Sequence, residues 1–235
     1  MSKNSKTKSK KSLQNEQPTT VLFIRHGENE WTENDKLAGR TPGVHLSKYG
    51  HQQAEALGKR LAKVKLSAIY ASPLERTMET AQAIAQHHQL DIKTREGLLE
   101  VDYGDWTGQA VKKLSKTQSW PIIQFYPSGA SFPGGESMYD MQFRFVQEIN
   151  GLIAKHPGET MAVVGHADLI KAAVAHYLGI HFDLFQRIVI STASITTISF
   201  VTTGPRIWGV NDTNHVPPRP VKKSKEKNKK KRKKL

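Results

Sequence analysis

The chain has 235 residues, enough for one large domain or two small ones with a substantial core. Its formal charge of +14 would suggest a nucleic-acid binder, but residues 1–17 hold +4 and residues 219–235 hold +10, so residues 18–218 are neutral. The absence of cysteine excludes disulfides, thiolate metal sites and a cysteine nucleophile, and no apolar run reaches membrane-spanning length, so a cytoplasmic protein is expected.

Residues 1–17 are rich in Lys, Ser, Asn and Gln with almost nothing to bury, and are expected to be a disordered basic tail. At 19–24 the sequence becomes Thr-Thr-Val-Leu-Phe-Ile, a β-branched apolar run that predicts a buried strand. The run stops at Arg25-His26-Gly27, a polar triplet where a strand of an open α/β sheet meets its loop, and where such folds place ligands. A helix is predicted over 47–62, with Ala54, Leu57 and Leu61 on one side, followed by a strand over 68–72. Ser72-Pro73-Leu74-Glu75 then combines an N-cap serine, a proline at the first helical position and a capping-box glutamate. They predict a helix running to about residue 88, with Arg76 in its first turn.

A short strand is expected near 91–93, and 104–135, rich in Gly, Pro, Ser and aromatics, reads as loops around a short helix. Trp106, Trp120, Phe125, Tyr126 and Phe132 in it either pack an irregular segment or line a substrate lid. An amphipathic helix over 137–155 precedes a buried strand over 161–164 that ends in Gly165-His166. A helix over 168–179 closes at Gly179, and runs at 188–190, 194–201 and 207–210 look like closing strands. The alternation of strands and helices predicts an α/β fold of three layers, α/β/α, with a largely parallel sheet. That domain would span 18–216, with a Lys/Arg-rich disordered tail over 217–235.

In such a sheet the two strand-end histidines, His26 and His166, converge on one edge with Arg25 and Arg76. Two guanidiniums match phosphate oxygens and stay charged at any working pH, and two imidazoles supply a nucleophile and a further donor. The arginines would also lower the His26 pKa, leaving one ring nitrogen free for attack. Phosphoryl transfer demands charge neutralisation and a nearby acid for the leaving oxygen. Glu100, at the end of Leu98-Leu99-Glu100, is the leading candidate for that acid, with Glu96, Asp102 and Asp105 close in sequence.

Thr20 through Glu28, Thr-Val-Leu-Phe-Ile-Arg-His-Gly-Glu, resembles the signature of the histidine phosphatase superfamily, with its phosphoglycerate-mutase-like fold. The likeness continues through Ala71-Ser72-Pro73-Leu74-Glu75-Arg76, Leu99-Glu100 with Gly-Asp-Trp-Thr-Gly, Phe132-Pro133-Gly134-Gly135-Glu136-Ser137 and Val164-Gly165-His166-Ala167. It covers roughly residues 19–212, and the stretches 37–46, 184–189 and 210–213 resemble a bacterial branch of phosphomutases. The resemblance implies that His26 becomes a phosphohistidine, that Arg25, Arg76, His166, Thr32 and Ala167 hold the phosphate, and that Glu100 exchanges protons with the leaving oxygen and then with water. It also implies substrate contacts at Gly39 and Arg40, and neither metal nor other cofactor. Thr32 stands where mutases of the superfamily carry asparagine, so a helix-cap role is an equal expectation; Asp168 either touches substrate or complements a helix N-terminus.

The expected partner is a small phosphate ester, with a homodimer among the arrangements left open. Hydrolysis is the leading expectation. A cofactor-primed mutase is the alternative, although the only close basic pair between Gly108 and Phe132 is Lys112-Lys113. A scaffold that binds nucleic acid or anionic surfaces through its basic tails is the third.

Overall fold

The computed structural model describes residues 17–220; segments 1–16 and 221–235, which hold most of the two expected basic tails, lie outside the described residues. Strand β1 (Thr19–Arg25) runs through the middle of a six-stranded sheet of order β3-β2-β4-β1-β5-β6. The other strands are β2 (Ala68–Ala71), β3 (Ile92–Thr94), β4 (Thr160–Gly165), β5 (Ile195–Val201) and β6 (Gly204–Asp212). β3, β2, β4 and β1 are mutually parallel, while β5 and β6 close the sheet antiparallel.

Successive side chains of a strand point to opposite faces, and a sheet covered on both sides therefore buries a continuous apolar run. β1 obeys this: Val21 and Phe23 enter one core, Leu22 and Ile24 the other. The first core holds Phe145, Ile149 and Leu152 of α6 (Met138–Lys155), and Leu169, Ile170 and Val174 of α7 (Ala167–Leu178). The second is filled by Leu57 and Leu61 of α2 (Lys48–Leu61) and by Ala81 and Ile84 of α3 (Glu75–Ala85). The architecture is thus the expected three layers.

Three local features depart from the sequence-based expectations. α3 begins at Glu75 with Leu74 at its N-cap and no side-chain cap, and ends at Ala85. Ser72 does not cap it, and its hydroxyl lies 3.0 Å from His166 Nε2. The run 188–190 is no strand; it follows a 3₁₀ segment, Phe182–Arg187, and the Ile190 carbonyl is taken by Arg25. Between 104 and 135 lie two short helices, α4 (Val111–Leu114) and α5 (Trp120–Phe125), in place of one. Trp106 and Phe132 there are buried and in edge contact, Trp106 stacks on Trp120, and Phe125 and Tyr126 are exposed, so these aromatics pack the segment and none lines the main cavity.

Candidate active site

β1 and β4 are adjacent, parallel and in a register that sets Arg25 opposite Gly165. The next residue of each strand is a histidine, so His26 and His166 leave the same sheet edge side by side, with ring centroids 5.3 Å apart. Gly27 lets the chain turn away here: a Cβ on it would lie 2.7 Å from the Gly50 carbonyl oxygen. Gly50 makes the reciprocal approach, since its Cβ would lie 1.9 Å from the Glu28 carbonyl oxygen. The loop after β1 and the first turn of α2 therefore pack backbone to backbone.

His26 Nδ1 lies 2.7 Å from its neighbour's carbonyl, Gly27 O. A carbonyl only accepts, so Nδ1 carries the proton and Nε2 keeps its lone pair. Burial, and then the charges of Arg76 and Arg25, hold the His26 pKa well below its ordinary value, in the direction the sequence predicts. His166 is lowered likewise, first by burial and then by Arg76. It lies behind the cavity wall, with Nε2 against Ser72 and Nδ1 3.4 Å from Arg76 Nη2 and 3.6 Å from Glu100 Oε2.

Both arginines are anchored through one nitrogen and leave others free. Arg25 donates from Nη1 to Ile190 O at 2.7 Å, and Arg76 from Nη2 to Gly39 O at 2.8 Å. Arg25 Nε and both Arg76 Nε and Nη1 are buried without a protein partner. Buried donors of that kind are costly unless an acceptor arrives, and a phosphate supplies several oxygens. Ala167, the first residue of α7, lines the same cavity and brings the amide end of that helix to it.

Glu100 is buried, with Oε1 accepting from the Val101 amide at 2.9 Å. Burial, reinforced by the neighbouring Asp168 carboxylate, raises its pKa from 4.5 to about 7. A carboxyl with that value is a proton donor and acceptor at neutral pH. Asp168 is tied down by the Tyr103 hydroxyl at 3.1 Å and Lys171 Nζ at 3.1 Å, and Lys171 also reaches Gln186.

The cavity holds about 350 Å³ and brings Arg25, His26, Arg76, Glu100 and Ala167 together with Thr32 and Gly39. Thr32 lines it, but its hydroxyl is engaged in the capping box of α1 (Glu30–Glu33), donating to Asn29 O and accepting from Asn29 N. Arg40 turns away: it donates to the Glu100 carbonyl at 2.9 Å and pairs with Glu136 at 3.0 Å, a network that Arg144 joins. It thus buttresses the Glu100 segment from outside the cavity. Sequence reasoning missed Ser72, Tyr103, Lys36, Lys171 and the apolar wall Leu37, Ile188 and Val189. Lys171, one helical turn beyond Asp168, carried a spacing signal; the others meet only through the fold. Among the described residues no group of three or more His, Cys, Asp or Glu side chains is arranged to hold a metal ion.

Comparison with known proteins agrees with this geometry. Residues 21–213 match the model of the histidine phosphatase superfamily, branch 1. The chain is 28% identical to phosphoserine phosphatase 1 of Hydrogenobacter thermophilus over 83% of its own length and 93% of that protein. It is 34% identical to a 2,3-bisphosphoglycerate-dependent phosphoglycerate mutase of Brucella anthropi, over 66% of this chain and 79% of the mutase. Its fold is similar to that of a phosphoserine phosphatase variant of Entamoeba histolytica solved with phosphoserine, with a TM-score of 0.78, 27% identity, and coverage of 85% of this chain and 100% of that one. With the match running from β1 past the end of β6 and the two histidines meeting at one sheet edge, the chain belongs to the histidine phosphatase superfamily.

Proposed function

We propose that the chain hydrolyses a small phosphomonoester through a phosphohistidine on His26. The observation that carries this is the set of buried, unpartnered guanidinium nitrogens on Arg25 and Arg76 beside a neutral His26 whose Nδ1 is occupied. The ester's phosphate binds to those nitrogens and to the α7 amide end, which places phosphorus before His26 Nε2. Nε2 attacks, the bond from phosphorus to the ester oxygen breaks, and that oxygen takes the proton of Glu100. The Glu100 carboxylate then removes a proton from water, whose oxygen attacks phosphorus. The P–N bond breaks, inorganic phosphate leaves, and His26 and Glu100 return to their starting states. His166 acts from behind the cavity wall, through Arg76 and Glu100 beside its Nδ1.

The relatives that hydrolyse phosphoserine support a substrate of that size, and the cavity has room for one with a larger alcohol. A cytoplasmic setting, expected from the cysteine-free sequence, belongs to the same proposal. The likeness to a bisphosphoglycerate-dependent mutase favours one second reading, transfer of the phosphoryl group back to the substrate in place of water. Purified protein with a panel of phosphomonoesters and 3-phosphoglycerate, with and without 2,3-bisphosphoglycerate and in the presence of chelator, separates the two. Release of phosphate that disappears in His26→Ala is the expected result; isomerisation without net release would overturn hydrolysis.

A further inference from the structure

Asn29 carries a buried donor that the catalytic reading leaves unused. The residue is 0% exposed and belongs to the cavity wall, three residues beyond His26. Its side-chain oxygen accepts from the amides of Trp31 and Thr32, both at 2.9 Å, and so caps α1. Its backbone N–H donates to Thr32 Oγ at 3.0 Å. Its carbonyl accepts from that hydroxyl at 2.9 Å and from the Glu33 amide at 3.0 Å. Nδ2 alone is left, buried and without a protein partner. The cap fixes which amide atom is which, because only the oxygen can accept from two N–H groups. The amide is therefore held in one orientation, with the hydrogens of Nδ2 still to give.

A buried donor of this kind is costly unless an acceptor reaches it. Capping does not account for it, since serine and aspartate cap a helix about as well and leave no surplus N–H. Among the described residues, the buried side-chain N–H groups that lack a partner and cannot shed their proton sit on Arg25, Asn29 and Arg76, and all three residues line the same cavity. Thr32, expected from the sequence to hold the phosphate, has spent its hydroxyl on Asn29. We propose that Asn29 Nδ2 is a further phosphate donor, the uncharged member of the set that holds the substrate's phosphate before His26. The proposal deepens the phosphohydrolase reading and rests on it, since the phosphate concerned is the one that reading seats against Arg25 and Arg76. One side chain then serves two tasks. The oxygen that fixes the turn of α1 also aims the nitrogen, so the donor is in place before the substrate arrives. Being neutral, it adds a hydrogen bond without a third cation beside His26, which would depress the basicity of that ring further.

The test compares the parent protein with Asn29→Ser and Asn29→Asp, both of which keep an oxygen at the cap. Calorimetry measures binding of inorganic phosphate, steady-state rates measure turnover of a small phosphomonoester, and thermal melting without phosphate reports the cap. Asn29→Ser should bind phosphate about 10- to 100-fold more weakly, as expected for one hydrogen bond to a charged group, and kcat/KM should fall by a similar factor. Asn29→Asp replaces the donor with a carboxylate oxygen. Its loss should exceed that of Asn29→Ser and shrink, relative to the parent, as pH falls and the new carboxyl takes a proton. A capping role by itself predicts neither the larger loss nor its pH dependence. Should Asn29→Ser melt early, Asn29→Asp, which keeps the shape of the side chain, decides through that pH dependence. Phosphate affinity within about threefold of the parent in both variants would overturn the proposal, and so would equal losses in the two at every pH. No release of phosphate from any ester by the parent would overturn the hydrolase reading instead, and the calorimetric comparison would still decide Asn29.

Discussion

The two ring nitrogens of His26 face different tasks, and the protein separates them with one backbone carbonyl. Gly27 O takes the Nδ1 proton, and burial beside two guanidiniums keeps Nε2 unprotonated. Glu100 is shifted the other way by burial and Asp168, so a base and an acid coexist near pH 7. Glu100→Gln should slow the phosphorylation step about 100- to 10,000-fold for an alkyl phosphate and much less for p-nitrophenyl phosphate, whose leaving group needs no proton. In the parent protein the phosphorylation step should slow as pH rises through about 7, where Glu100 loses its proton, and the variant should lack that limb. Single-turnover rates across pH check both statements. The same shifts bear on folding with opposite signs. The lowered values of His26 and His166 withdraw stability as pH falls below their ordinary range, because the unfolded histidines take up protons first. The raised value of Glu100 withdraws stability as pH rises from 4.5 to about 7, because the unfolded carboxyl ionises first.

Elements deliver these residues through strand ends and helix starts. The loop after β1 is held against α2 by the paired approach of Gly27 and Gly50, so Gly50→Ala must push the Glu28 carbonyl aside. Its thermal midpoint should drop by several degrees, on the order of 1–3 kcal/mol, and kcat should fall with it; calorimetry and steady-state rates measure the two. Both histidines were legible in the sequence because a buried strand is a continuous apolar run, and a polar triplet at its end is conspicuous. Ser72 was misread for an equally physical reason. Its capping pattern was sound locally, but the helix starts two residues later, with Leu74 at the cap, and the Ser72 hydroxyl faces His166, far away in sequence. Ile188-Val189-Ile190 has the β-branched character of a strand, yet its carbonyl is spent on Arg25 and its side chains on the cavity wall. Arg40 looked like a substrate contact until the fold brought Glu136 and the Glu100 carbonyl to it.

At the scale of the molecule, two cores lie on either side of one sheet, and β1 contributes to both. Phe145, fully buried and 6.1 Å from the Phe23 ring, belongs to the first core and does not itself line the cavity. Phe145→Ala should cost about 3–5 kcal/mol in urea unfolding while leaving KM of the folded protein unchanged. A matching rise in KM would mean that the cavity wall senses the packing at Phe145 through the core they share. The layer order was legible because alternating strands and helices admit few arrangements, whereas the antiparallel β5 and β6 and the hydrogen bond from Tyr49 to the Pro217 carbonyl depend on contacts no local pattern encodes.

The central claim, a phosphoryl group on His26, is open to direct measurement. Cleavage after Arg25 and Lys36 yields a peptide of residues 26–36 whose only histidine is His26. Protein mixed with p-nitrophenyl phosphate, quenched in alkali within milliseconds and digested, should carry one acid-labile phosphoryl group on that peptide, more of it in Glu100→Gln and none in His26→Ala. A phosphoryl group found instead on the peptide containing His166, or phosphate release with no label on any histidine, would contradict the account.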